Sequence, residues 1–75
     1  MNSLDQIEIV KHESSVIDRT KYIPREWELI ITFRSGRQYI YYKVKPELYE
    51  RFLKAESKGQ FFNQHIKNHF NYDLY

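Results

Sequence analysis

Between residues 27 and 33 the apolar side chains recur at every second position, as Trp27, Leu29, Ile31 and Phe33. That is the period of a strand with one buried face. Ser35-Gly36 follows, and then residues 37–44 form a second β-rich run, so the two make a hairpin. A two-residue type I′ turn would force positive φ on Ser35, a place that favours Asn, Asp or Gly. A three-residue loop of Arg34, Ser35 and Gly36 needs positive φ at Gly36 alone and is the predicted geometry. It sets Phe33 opposite Arg37, Ile31 opposite Tyr39, and Leu29 opposite Tyr41. The 27–33 stripe and both tyrosines then share the core face. A slip of one residue would turn the tyrosines to the other face, beside Ile30 and Thr32.

Upstream, residues 14–22 are rich in β-branched side chains and predict the first strand of the meander. Pro24 closes it, because proline cannot donate to a ladder. Residues 1–13 alternate only weakly, through Ile7, Ile9 and Val10, and read as an N-terminal arm or short strand. Downstream the period lengthens. Pro46 suits a first helical position and Glu47 complements the positive end of the helix dipole. Leu48, Tyr49, Phe52, Leu53 and Ala55 then form an apolar stripe at helical spacing. Ser57 with Gln60 is a capping-box pattern that opens a second helix, along which Phe62, Ile66 and Phe70 lie four apart. Residues 71–75 read as a C-terminal tail. The prediction is an α+β domain over residues 14–70: a three-stranded antiparallel β-meander with two helices packed on one face.

Composition narrows the setting. A chain of 75 residues is one small domain, and at this size only about 60% of the unfolded surface is hidden, so a few large side chains must carry the core. Seven Tyr, five Phe and one Trp supply them. Cysteine is absent, which points to a reducing compartment. The first residues carry no basic stretch leading into an apolar run, and no run approaches the ~20 apolar residues of a membrane span. The cytoplasm is therefore expected, with no membrane partner. Net charge is +2, from 12 basic and 10 acidic residues; this permits contact with a polyanion without demanding it.

Five segments in order and spacing resemble the KTSC domain: Ser14-Ser15-Val16-Ile17; Phe33-Arg34-Ser35-Gly36-Arg37; Tyr39-Ile40-Tyr41; Pro46-Glu47-Leu48-Tyr49; and the run from Ala55 to Asn63. The resemblance covers roughly residues 14–70. Tyr39 and Tyr41 match the family's Tyr-x-Tyr element, and Ser57, Gly59, Phe61, Phe62 and Asn63 its Ser-x-Gly-x-aromatic-aromatic-Asn element. Thr20-Lys21 stand where an Ile-Gly pair is usual, and Lys45 where proline is common. The resemblance implies a module that occurs alone in bacterial and phage proteins and at the C-terminus of some lysyl-tRNA synthetases. It also implies a possible role in binding RNA.

The candidate nucleic-acid-binding residues are Arg34, Arg37, Lys43 and Lys58 for phosphates, with Tyr39 and Tyr41 for stacking. Against this stand ordinary readings: tyrosines that belong to the core, and charges scattered on a solvated surface, with Lys67 also near the second helix. The alternative is a protein-protein interaction module or adaptor that acts through the β-hairpin or an exposed sheet edge. Nothing points to an enzyme. His65 and His69 are four apart but lack the third ligand and the carboxylate base of a catalytic zinc site, so no metal and no cofactor is expected. Ser14, Ser15 and Ser57 lie in no nucleophile elbow. Gly59 is placed to let the second helix approach the sheet.

Overall fold

In the computed structural model, which describes residues 6–75, five antiparallel strands form one sheet in the order of the chain. They are β1 Glu8–Lys11, β2 Ile17–Ile23, β3 Glu28–Phe33, β4 Gln38–Tyr41 and β5 Tyr72–Leu74. Between β4 and β5 come α1 Pro46–Lys54 and the short α2 Lys58–Phe61, which continues into a π-helical turn at Phe62–Ile66.

The expected meander of three strands is thus a sheet of five. Glu8–Lys11, inside the N-terminal arm, pairs with β2, with Val10 opposite Thr20. The first five residues of that arm lie outside the described residues. Tyr72–Leu74, inside the expected tail, pairs with β4, with Tyr72 opposite Tyr41 and Leu74 opposite Tyr39. Both additions are short edge strands that join through backbone hydrogen bonds, which the side-chain pattern does not report. Of the two apolar residues in β1, Val10 shares the helix-covered face with Thr20 and Ile9 lies on the other. By register Ile9 shares the helix-free face with Lys21, and it stays 68% exposed.

The hairpin register is the predicted one. Ile31 faces Tyr39 and Leu29 faces Tyr41. Gly36 takes φ 95°. Its N–H donates to the Phe33 carbonyl (2.9 Å) and the Phe33 N–H donates to the Arg37 carbonyl (2.9 Å). That is a type I turn followed by a G1 bulge. The core stripe is shorter than predicted. Leu29 and Ile31 are fully buried, whereas Trp27 is 41% exposed. Trp27 has φ 55° and closes the turn begun at Pro24, its N–H donating to the Pro24 carbonyl, so it precedes the strand.

The helices cover one face of the sheet. Tyr22, Leu29, Ile31 and Tyr41 pack there with Tyr49, Phe52, Phe62 and Ile66. Polar groups lock α1 onto β2. Tyr49 and Thr20 share a buried hydrogen bond (2.8 Å), Thr20 also bonds His12 Nε2 (2.8 Å), and the Tyr22 hydroxyl donates to the Val44 carbonyl (2.6 Å). The Tyr22 and Tyr49 rings stack at 4.4 Å between centroids. Each such bond contributes about 1 kcal/mol net, and the ring pair about 0.5–1.5 kcal/mol beyond its burial.

Ser57 caps α2 as its spacing predicts, Oγ accepting from the Gln60 N–H (3.2 Å). Gly59 permits a close approach: a Cβ there would stand 3.3 Å from Val16 Cγ2. The second helix ends early. The Lys67 N–H donates to the Phe62 carbonyl, five residues back (2.8 Å), and Asn68 turns left-handed at φ 68°. Phe70 therefore reaches the core from a loop rather than from a helix face. No helix among the described residues is long and apolar enough to cross a membrane.

Candidate functional site

The helix cover stops short of the hairpin tip. An open groove of about 560 Å³ remains there, between the tip, β5 and the π-helical turn. Its base is aromatic. Tyr41 and Phe62 are 5% and 6% exposed, and their rings meet edge to face at 5.6 Å. Phe33 packs edge-on to Phe62 (5.2 Å) and to Tyr39 (6.0 Å). Tyr72, on the edge strand, closes one side against Tyr39 (5.7 Å). Interlocked rings of this kind hold one another in place.

The hydroxyls of Tyr39 and Tyr41 make no hydrogen bond with the described residues. No buried polar side-chain atom there lacks a partner, so both hydroxyls open to the groove. Burial, followed by the nearby Tyr39 and Tyr72, pushes the Tyr41 phenol up to about 12. It therefore remains a neutral donor throughout the physiological range.

Arg34, Arg37 and Lys67 line the rim, and no Asp or Glu does. In a chain with 12 basic and 10 acidic residues, that is a local segregation of charge. The two arginines have different roles. Arg34 is a clamp: Nε donates to the Ser14 carbonyl (3.0 Å), Nη2 to the His12 carbonyl (2.7 Å), and Nη1 to Asp18 Oδ1 (2.8 Å). Asp18 is aimed at it by an irregularity between Ile17 and Arg19, where β2 shifts register against β3. The side chains of Arg37 and Lys67 are exposed and make no hydrogen bond or ion pair with the described residues. Among the described residues that line the groove, those two are the cations available to a ligand.

Of the six sequence candidates, Arg34, Arg37, Tyr39 and Tyr41 come together in this groove. Lys58 lies in a separate depression with Glu13 and Glu56, its ammonium donating to the Ala55 carbonyl. Lys43 lies in a shallow hollow beside the loop of residues 68–71. The sequence reading counts Lys67 among the scattered bases rather than the site candidates, and it does not single out Asn68 or Tyr72; all three follow the helix and reach the groove through the turn at Asn68 and the pairing of β5. Asn63 sits on the groove wall, exposed, and its side chain makes no hydrogen bond with the described residues. His65 packs on Phe61 (4.5 Å), and His69 lies beyond the end of the helix. No group of three or more His, Asp or Glu that could hold a metal occurs among the described residues.

A family model described as the KTSC domain matches residues 13–70. A protein of Tsukamurella paurometabola is 43% identical over 58 residues, which cover 77% of this chain and 87% of that one. A lysine–tRNA ligase of Nostoc punctiforme is 42% identical over 65 residues, which are 87% of this chain but 12% of the ligase. The crystal structure of a KTSC domain protein from Yersinia pestis matches with a TM-score of 0.88 at 31% identity, covering 93% of this chain and 99% of that one.

Proposed function

The chain belongs to the KTSC domain family, and on that premise we propose that it is a small non-catalytic module that binds RNA through the groove at its hairpin tip. The observation that carries this reading is the pairing of an aromatic base with a rim whose charges are all positive. Bases unstacked from a strand lay their faces on aromatic rings, each contact stabilising by about 1–3 kcal/mol. Arg37 and Lys67 meet the phosphates, and the Tyr39 and Tyr41 hydroxyls offer hydrogen bonds to a base edge. The related segment within a lysine–tRNA ligase, an enzyme whose name carries an RNA, points the same way.

The test is fluorescence anisotropy of labelled single-stranded RNA, duplex RNA and DNA, with wild type and the Arg37→Ala/Lys67→Ala double variant. Two to three phosphate contacts give a salt slope near −1.4 to −2.1, so affinity for a single strand should fall roughly sevenfold to twentyfold between about 50 and 200 mM salt. The double variant should bind more weakly and with a flatter slope. Absence of binding at low salt, with the fold intact by circular dichroism, refutes the reading. A protein partner would then be the better search, and it would act at the open edges of β1 and β5, because both edges of the central hairpin are paired within the sheet.

A further inference from the structure

Where the groove ends, at Asn68, a second depression begins. It has a volume of about 400 Å³ and is lined by Tyr42, Lys43, Asn68, His69, Phe70 and Asn71. Asn68 is the wall common to both. We propose that the groove and this hollow form one continuous track for a single strand of nucleic acid, with bases unstacked into the aromatic groove and the backbone passing over Asn68 to a phosphate site at Lys43. This extends the binding reading above and rests on it.

Three observations carry the proposal. The first is direction. Arg37 stands just before β4 and Lys43 just after it, with Tyr39 and Tyr41 between them lining the groove. At about 3.3 Å per strand residue the run from Arg37 to Lys43 spans at most roughly 20 Å. A strand stacked at 3.4 Å per nucleotide would need about six nucleotides to cover that distance, and an unstacked one fewer.

The second is charge. The groove and the hollow together are lined by Arg34, Arg37, Lys67 and Lys43, and by no carboxylate. Asp73 approaches as the acceptor of the Tyr42 hydroxyl (2.8 Å), but lines neither depression. Lys43 is exposed and makes no hydrogen bond or ion pair with the described residues. The depression around Lys58 differs, since Glu13 and Glu56 share its lining.

The third is that the hollow is built into the fold. The Tyr42 N–H donates to the Asn71 carbonyl (3.0 Å), which ties the loop to the end of β4. Lys43 and Asn68 both adopt left-handed backbone, φ 63° and 68°, and these turns shape its two sides.

A duplex does not suit this relief. Its bases are stacked and paired, and they cannot reach a hydroxyl at the base of a groove whose Tyr41 is only 5% exposed. An extended single strand can place a base there while its phosphates follow the rim.

The experiment follows backbone amide shifts of the labelled protein by NMR, with a uridine dinucleotide and a uridine decanucleotide as probes, and with a DNA decanucleotide and a duplex RNA as further arms. The dinucleotide should shift amides around Tyr41 and Arg37 only. The decanucleotide should also shift Lys43 and residues 68–71. Lys43→Gln should weaken the decanucleotide threefold to tenfold and leave the dinucleotide unchanged, whereas Arg37→Gln should weaken both. If Lys43→Gln leaves the decanucleotide unchanged while Arg37→Gln weakens it, the track is wrong and the groove stands. If neither probe shifts the Tyr41 region, both readings fall together. Duplex RNA binding as tightly as the single strand would overturn the single-strand assignment, and the DNA arm decides whether the ribose hydroxyl contributes.

Discussion

Arg34→Ala should destabilise the domain by about 2 kcal/mol, whereas Arg37→Ala, the same residue type three positions on and at the same groove, should be nearly neutral. Arg34 makes two charge-assisted bonds to backbone carbonyls, at 3.0 Å to Ser14 and 2.7 Å to His12. In a protected setting each bond to a charged group contributes about 1.5–3 kcal/mol. The Arg34 side chain is 45% exposed, so solvent screening reduces each to about 0.8–1 kcal/mol. The Asp18 pair at 2.8 Å adds about 0.5 kcal/mol at that exposure. The sum is about 2 kcal/mol, equivalent to a fall in Tm of roughly 8–16 °C for a domain of this size. Arg37 has no such partners, and exposed substitutions of that kind stay within about 0.5 kcal/mol. Urea unfolding followed by circular dichroism measures both. Arg34→Lys keeps the charge but loses the fork, so it should recover only a minor part of the loss. If Arg34→Ala and Arg37→Ala agree within about 0.5 kcal/mol, the clamp does not operate and the argument separating the two arginines fails.

Other outcomes follow from single features. Phe52→Ala, at a fully buried position on the inner face of α1, should cost about 3–5 kcal/mol. That is a large share of the stability of so small a domain, and the variant should show a greatly reduced folded fraction by circular dichroism. Gly36→Ala meets no atom within 4 Å but keeps φ 95°, so its cost is backbone strain alone, about 1–3 kcal/mol by urea unfolding; no change would mean the turn is not the one described. Burial chiefly, with Lys58 nearby, holds the His12 ring below its ordinary value of 6.5, while Asp18 opposes the shift. Its neutral form is therefore favoured by folding, a contribution complete above about pH 6.5 and lost as the pH falls through the folded value. Urea midpoints at pH 7 and pH 5 should differ more for wild type than for His12→Gln, and equal differences would remove His12 from that account.

The central hairpin was legible because one glycine decides it. Only Gly36 in that loop tolerates positive φ without strain, and that choice fixed the register and the face of both tyrosines. The helix start at Ser57 was legible for a similar local reason, a hydroxyl within reach of a free N–H. Of the edge strands, β1 was one of the two readings open for residues 1–13, whereas β5 was not legible, because its three residues are all exposed and leave no hydrophobic signature. Trp27 misled because it extends the alternation back into a turn that precedes the strand, where its φ is 55°. The site was half legible. The hairpin residues lie together in sequence, but Lys67 and Tyr72 join them only because the second helix stops at Ile66 and the chain returns as β5. Arg34 was visible as a charge; that its donors are spent on Ser14, His12 and Asp18 depends on partners 16 to 22 residues away.

The π-helical turn at Phe62–Ile66 holds one residue more than an α-helical course would. An α-helix advances about 100° per residue, so removing one residue from this turn would rotate everything beyond it by about that angle relative to Phe62. Phe62 would keep its place in the aromatic base, while Lys67 and Asn68 would swing off the groove and the hollow. The length of this short segment therefore sets whether Lys67 joins Arg34 and Arg37 at the rim of the same core.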